Sequence, residues 1–283
     1  MASAFWQQVL AGGLAVPPDR PLDDMTAELT TLLGSPDPAQ RDGLAYPTLE
    51  AWIRRGVYDD LLAGLGDGMA TGLDVGLGER DTDSVFRRSF SALVLGDCIA
   101  RDTVVSRLPG TKIMEWGDRI ASWFLRERDL RGWVPNKGWA HALAHGSDAI
   151  GALAESPRLG PPELTVMLDV LADRLLLPAP GLLQSGEPDR LAAATMRVLR
   201  RNVVPLKVLE PWVARIVAGA TAHAYDMAVD PYQTTGDAEA FLRALYLQLS
   251  LAPAHPSVRS DLLLVLVDAL RTTNPRFLAV PRQ

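Results

Sequence analysis

The chain has 283 residues, 48% of them hydrophobic and 22% charged, and carries a formal net charge of −6. Length and apolar content suit a globular protein with a sizeable core. The acidic balance weighs against a nucleic-acid reader, which needs basic surface to neutralise phosphates, and the longest basic cluster is only Arg197, Arg200 and Arg201.

Apolar residues recur at helical spacing almost everywhere. Helices are expected near 3–12, 21–34, 37–55, 58–72, 83–107, 112–129, 136–155, 162–176, 188–201, 205–226, 237–250 and 257–271. Their starts carry chemical signals. Ser35-Pro36-Asp37 combines a cap, a first-turn proline and an acid at the positive end of the dipole. Asp83 or Ser84 caps the next long helix. Gly160-Pro161-Pro162-Glu163, Gly186-Glu187-Pro188-Asp189, Asp237, and Pro256 or Ser257 open later ones. Strand signals are nearly absent, since Asp42-Gly43 and Asp67-Gly68 lack flanking alternation. The expected fold is all-α: stacked antiparallel helix pairs forming a HEAT-like α-solenoid or a compact α/α superhelix. The whole chain, 1–283, reads as one domain, with a possible seam at the loop-like stretch 177–187.

The single cysteine, Cys98, lies in an apolar run, so no internal disulfide forms. No basic n-region precedes Phe5 and Trp6, and no run approaches the roughly 18 apolar residues of a membrane span. A cytoplasmic protein without membrane contact is expected.

Chemistry concentrates between Gly132 and Asp148. If a helix begins at Asn136 after Pro135, then at 100° per residue Lys137, His141, His145, Asp148 and Glu155 share a sector roughly 80° wide. Trp139, Leu143, Ile150 and Leu153 face the other way. One reading is a solvated face with i, i+4 pairs. A second is a divalent metal on the two histidines and Asp148. The zinc-protease motif is excluded, because Ala142 stands where it requires a glutamate. A third is a polar pocket, with Lys137, His141 and His145 as donors, Asp148 orienting a histidine, and Trp133 or Trp139 as a stacking wall. No cofactor is assigned. Asp97, Arg101 and Asp102 read as an ion-paired surface, and His223 with Asp226 as a charge pair at a helix end. The glycine tracts Gly64–Gly68 and Gly72–Gly78 lack the setting of a phosphate loop and read as a flexible connection. No nucleophile elbow is present.

Three blocks, SPDPAQRDGLAYPTLEAWI at 35–53, DSVFRRSFSALVLGDCIARD at 83–102 and ERDLRGWVPNKGWAHALAHGSDAIGALA at 127–154, resemble a bacterial family catalogued as domain of unknown function 2785. The resemblance implies a helical, HEAT-like, bacterial protein and imports no activity. Matching ionisable blocks on separate helices favour the pocket over the solvated face. Asp97, Arg101 and Asp102 are then expected to face Lys137, His141, His145 and Asp148, with Trp133, Asn136 and Trp139 in the same groove. The expected ligand is a peptide, a partner protein or a small polar molecule. The alternative is an enzyme using His141 or His145 with Asp148 as general acid and base, or as metal ligands, and Lys137 to stabilise negative charge.

Overall fold

The computed structural model describes residues 4–222 and 230–278, so the His223–Asp226 pair lies outside the described residues. The chain divides into two compact units, Met1–Arg158 and Leu159–Gln283. Both are built from packed helices, and the fold is all-α.

In the first unit α1 spans Ala4–Ala11 and α2 Leu22–Leu32. A continuous helical path follows from α3 (Pro38–Gln40) through a π-helical turn at Arg41–Ala45 into α4 (Tyr46–Arg54). Asp37 caps it by accepting from the Ala39 N–H at 2.9 Å, as its position before proline predicts. Next come α5 (Leu62–Gly72), α6 (Ser84–Val105) and α7 (Gly110–Arg126). α6 is the axis of this unit. It contacts α4, α5, α7 and, most extensively, α8 (Ala142–Glu155), so apolar residues occupy most of its circumference. Gly96 permits the tightest approach: a Cβ there would stand 3.1 Å from the Ala149 Cα. α7 shows the opposite pattern, a single buried stripe of Ile113, Trp116, Ile120, Trp123 and Phe124 at spacings of three and four.

The tract Gly64–Gly68 is helical, not a flexible connection. Gly66 lies under the Trp116 ring, where a Cβ would fall 2.1 Å from Cζ2, and this contact offsets the low helix propensity of glycine.

In the second unit α9 spans Pro161–Leu176, α10 Glu187–Arg200, α11 Leu206–Thr221, α12 Pro231–Leu251, α13 Arg259–Thr273 and α14 Pro275–Leu278. α11 packs on α9, α12 and α13, and α10 on α12. Residue Asp237 does not open a helix. α12 starts at Pro231, capped by Asp230, which accepts from the Tyr232 N–H at 2.9 Å. Asp237 is buried in that helix and instead accepts from the Leu183 N–H at 2.8 Å, tying down the connection between α9 and α10. None of the described helices is long and apolar enough to cross a membrane.

Candidate functional site

The helix expected over 136–155 begins only at Ala142. Ahead of it the chain forms a small antiparallel hairpin, β1 (Trp133–Val134) and β2 (Gly138–Trp139), with Trp133 opposite Trp139 and Val134 opposite Gly138. Turn chemistry overrides the helical spacing. The Lys137 N–H bonds the Val134 carbonyl at 3.0 Å, which places Pro135 at the second turn position and Asn136, at φ 64°, at the third. Proline followed by a residue that tolerates positive φ is what a type II turn requires. Gly138, at φ 78°, completes the reversal. Two further bonds, Ala140 N–H to Gly132 and His141 N–H to Arg131, extend the pairing up to the start of α8.

This geometry dissolves the single stripe from Lys137 to Asp148. Lys137 lies in the turn and pairs with Asp83 at 2.6 and 2.9 Å. His141 is the N-cap position of α8, in left-handed backbone at φ 51°, which is uncommon for a residue with a Cβ. His145 and Asp148 do share α8, one turn apart.

The hairpin is held from below. Arg41, in the π turn, is fully buried with its guanidinium over the Phe86 and Phe90 rings, 4.1 and 5.0 Å from their centroids. It donates to the Lys137 carbonyl at 2.7 Å, the Ser35 carbonyl at 2.7 Å and Asp42 at 2.6 Å. Burial pushes the Arg41 pKa down and that of Asp42 up, and in each case the partner's charge opposes the shift. At the hairpin's entrance Asp129, also buried, accepts from Arg131 at 2.6 and 2.8 Å and from the Asp81 N–H at 3.0 Å.

Above this frame lies a run of rings. Trp133 and Trp139 meet edge to face at 4.9 Å. Trp139 stacks on His141 at 4.1 Å, and His141 meets His145 edge to face at 5.9 Å. Both tryptophans are exposed, at 54% and 40%, whereas His145 is buried against Phe90. The Ser89 hydroxyl donates to the Ala140 carbonyl. Its single proton is thereby spent, so its 2.8 Å contact with His145 Nδ1 requires the imidazole to donate. Nδ1 therefore carries a proton toward Ser89, whether the ring is neutral or charged.

The structure therefore brings together Trp133, Asn136, Lys137, Trp139, His141 and His145. It places Asp97, Arg101 and Asp102 elsewhere, on the C-terminal half of α6. Ser89 and Asp97 are separated by eight helical residues, roughly 12 Å along the axis. Arg101 pairs with Asp59 through two bonds of 2.7 Å. Asp102 is buried and accepts from the Leu108 N–H at 2.7 Å, closing the end of α6. Among the described residues no group of three or more His, Cys, Asp or Glu is placed to hold a metal ion. Sequence reasoning missed Arg41, Asp42 and Ser89. The first two sit in the block 35–53 as Arg-Asp-Gly, and Ser89 sits in the block 83–102.

Residues 73–247 match the model of a family described as "Protein of unknown function (DUF2785)". The chain belongs to that family. The DUF2785 match contains the second and third sequence blocks with the hairpin and α8, leaves the block 35–53 outside, and continues into α12. No curated protein and no solved structure matches the chain.

Proposed function

We propose that this chain is a binding protein, and that its ligand, a peptide, a partner protein or a small polar molecule, docks on the hairpin and the start of α8. The observation that carries this reading is the exposed pair Trp133 and Trp139, continued by the stacked His141. Large aromatic side chains held on rigid backbone lose little entropy on binding and are enriched as interface anchors. The frame beneath them is rigid because Arg41 and the Lys137–Asp83 pair fix both the turn and its flank. The π turn and the left-handed His141 add support, since such departures from ideal helix concentrate at functional sites. The lone buried cysteine, Cys98, is in keeping with a reducing, cytoplasmic setting. The double variant Trp133→Ala/Trp139→Ala tests the reading in an affinity capture from lysate of the source organism. Both side chains are exposed, so the expected outcome is loss of the captured ligand with an unchanged melting temperature. Full retention of every captured species by the double variant overturns it.

One observation favours a second reading, an enzyme with His145 as general base. Ser89 holds the ring by Nδ1, so Nε2 is the nitrogen that would take up a proton in such a step. Lys137 contributes less than the sequence implied, because its charge is engaged by Asp83. Ser89→Ala is the discriminating variant. For a catalytic base it shifts the pH profile of any turnover found for this chain, whereas for a packing histidine it alters stability alone.

A further inference from the structure

The chain has seven tryptophans, and their indole N–H groups fall into two classes. Five donate to an acceptor within the chain: Trp6 to Glu28, Trp52 to the Leu14 carbonyl, Trp116 to Asp67, Trp123 to Glu127 and Trp212 to the Leu168 carbonyl, at 2.7 to 3.0 Å. Those five rings are buried. Trp133 and Trp139 are exposed, and among the described residues neither indole N–H has an acceptor. The hairpin therefore presents two ring systems, set at 78° to one another, each with a donor free for an outside acceptor. The Asn136 side chain, exposed at the adjoining turn, adds amide donors. The carboxylates around the same strands are already committed. Asp42 faces Arg41, Asp83 faces Lys137, and Asp81 and Asp129 both face Arg131. This surface has apolar area and donors in excess.

A ligand that matches it brings apolar rings and unpaired acceptors, and asks for no acceptor in return. An ordinary peptide backbone carries an N–H for every carbonyl, and a sugar hydroxyl is a donor as well as an acceptor. Both bring donors that this surface does not answer. Proline has no backbone N–H, and in the polyproline II helix the carbonyls make no internal bonds and stay open to partners. Three residues per turn give that helix ridges that enter a corner between two ring planes. Being preformed, it loses little entropy on docking against aromatic side chains. We propose that the ligand of the hairpin is a proline-rich peptide segment in the polyproline II conformation, with its pyrrolidine rings against Trp133 and Trp139 and its carbonyls accepting from their Nε1–H groups. Such a ligand presupposes the binding role proposed for the hairpin and gives it a chemistry.

The probe is decaproline, capped at both ends and so uncharged, titrated into the isotope-labelled full chain. Each tryptophan contributes one indole N–H signal to the proton–nitrogen spectrum, and the single variants Trp133→Phe and Trp139→Phe assign the two that matter. Saturable downfield shifts are expected for the Trp133 and Trp139 signals and not for the five buried ones. The double variant Trp133→Phe/Trp139→Phe keeps aromatic faces and removes both donors. It should keep the melting temperature and weaken binding about tenfold, for two neutral hydrogen bonds lost, as read from the hairpin's backbone amides. The proposal is overturned by unshifted Trp133 and Trp139 signals at millimolar decaproline, by equal shifts from a capped glycine–serine decamer, by equal affinity in the double variant, or by cellobiose shifting the two signals where decaproline does not. If decaproline fails while Trp133→Ala/Trp139→Ala still loses its captured ligand, the ligand chemistry falls and the binding role of the hairpin stands. If that variant also retains every captured species, both fall.

Discussion

Replacing Glu127 by alanine lowers the unfolding free energy by about 3–5 kcal/mol, the range for removing one partner of a buried ion pair. Glu127 and Arg88 are both buried, and the guanidinium donates to both carboxylate oxygens, Nε at 2.5 Å and Nη2 at 3.0 Å. Glu127 also accepts from Trp123 Nε1 at 3.0 Å and from the Arg128 and Asp129 N–H groups at 2.9 Å. Without the carboxylate, Arg88 keeps its bonds to the Val75 and Gly76 carbonyls and to Ser84 Oγ, yet its buried charge is left with only the solvent-exposed Glu79 nearby. Urea unfolding monitored by circular dichroism should show a lower midpoint at an unchanged m value. The double variant Arg88→Met/Glu127→Leu should lose less than Glu127→Ala alone, since apolar replacement of both partners removes the stranded charge. A loss below about 1 kcal/mol in Glu127→Ala would show that the pair is solvated in solution. The pair matters beyond stability. It locks the end of α7 to α6 immediately before Asp129 and Arg131, which aim the hairpin.

The helical architecture was legible because each helix must bury one face, and burial imprints a spacing of three and four. α7 shows this plainly, with its buried positions read directly from apolar residues. The hairpin was not legible by the same rule. Each strand has two residues, too few for any alternation to register. Lys137, His141 and His145 happen to be four apart across a turn, and that spacing imitated a helix face. The contrary signal was local: proline, then asparagine, then glycine two residues later. Turn chemistry of that kind acts within four residues and outweighs periodicity.

The candidate site was legible in part, and the division has a physical basis. Residues close in sequence, from Trp133 to His145, lie near one another because the chain has little freedom to separate them. The link to Asp97, Arg101 and Asp102 required knowing which level of a 22-residue helix lies beside the histidines. Periodicity gives the face of a helix and says nothing of the level along its axis. Ser89, not Asp97, is at the level of the histidines. Arg41 was invisible for another reason. A charged residue in a fully buried position contradicts its own type and is betrayed only by the partners it finds 96 residues away.

Arg41 is also where the frame beneath the rings is most exposed to test. Arg41→Met should cost about 4.5 kcal/mol or more before repacking, because hydrogen bonds to charged groups are worth about 1.5–3 kcal/mol each and three are lost. Methionine recovers part of this by filling the space between Phe86 and Phe90. What it cannot replace is the donation to the Ser35 and Lys137 carbonyls, one from Nη1 and one from Nη2 of the planar guanidinium. The hairpin should loosen before the rest of the unit does. Hydrogen exchange should show the amides of 137–141 losing more protection than those of α7, and the exposed rings of Trp133 and Trp139 should lose their fixed stacking. Arg41→Lys should resemble Arg41→Met, since a point-like ammonium cannot span two carbonyls and Asp42 as the planar fork does. Uniform loss of protection across the first unit would mean that Arg41 serves general packing. Selective loss at the hairpin would establish it as the residue that converts the π turn into a rigid mount for the aromatic surface.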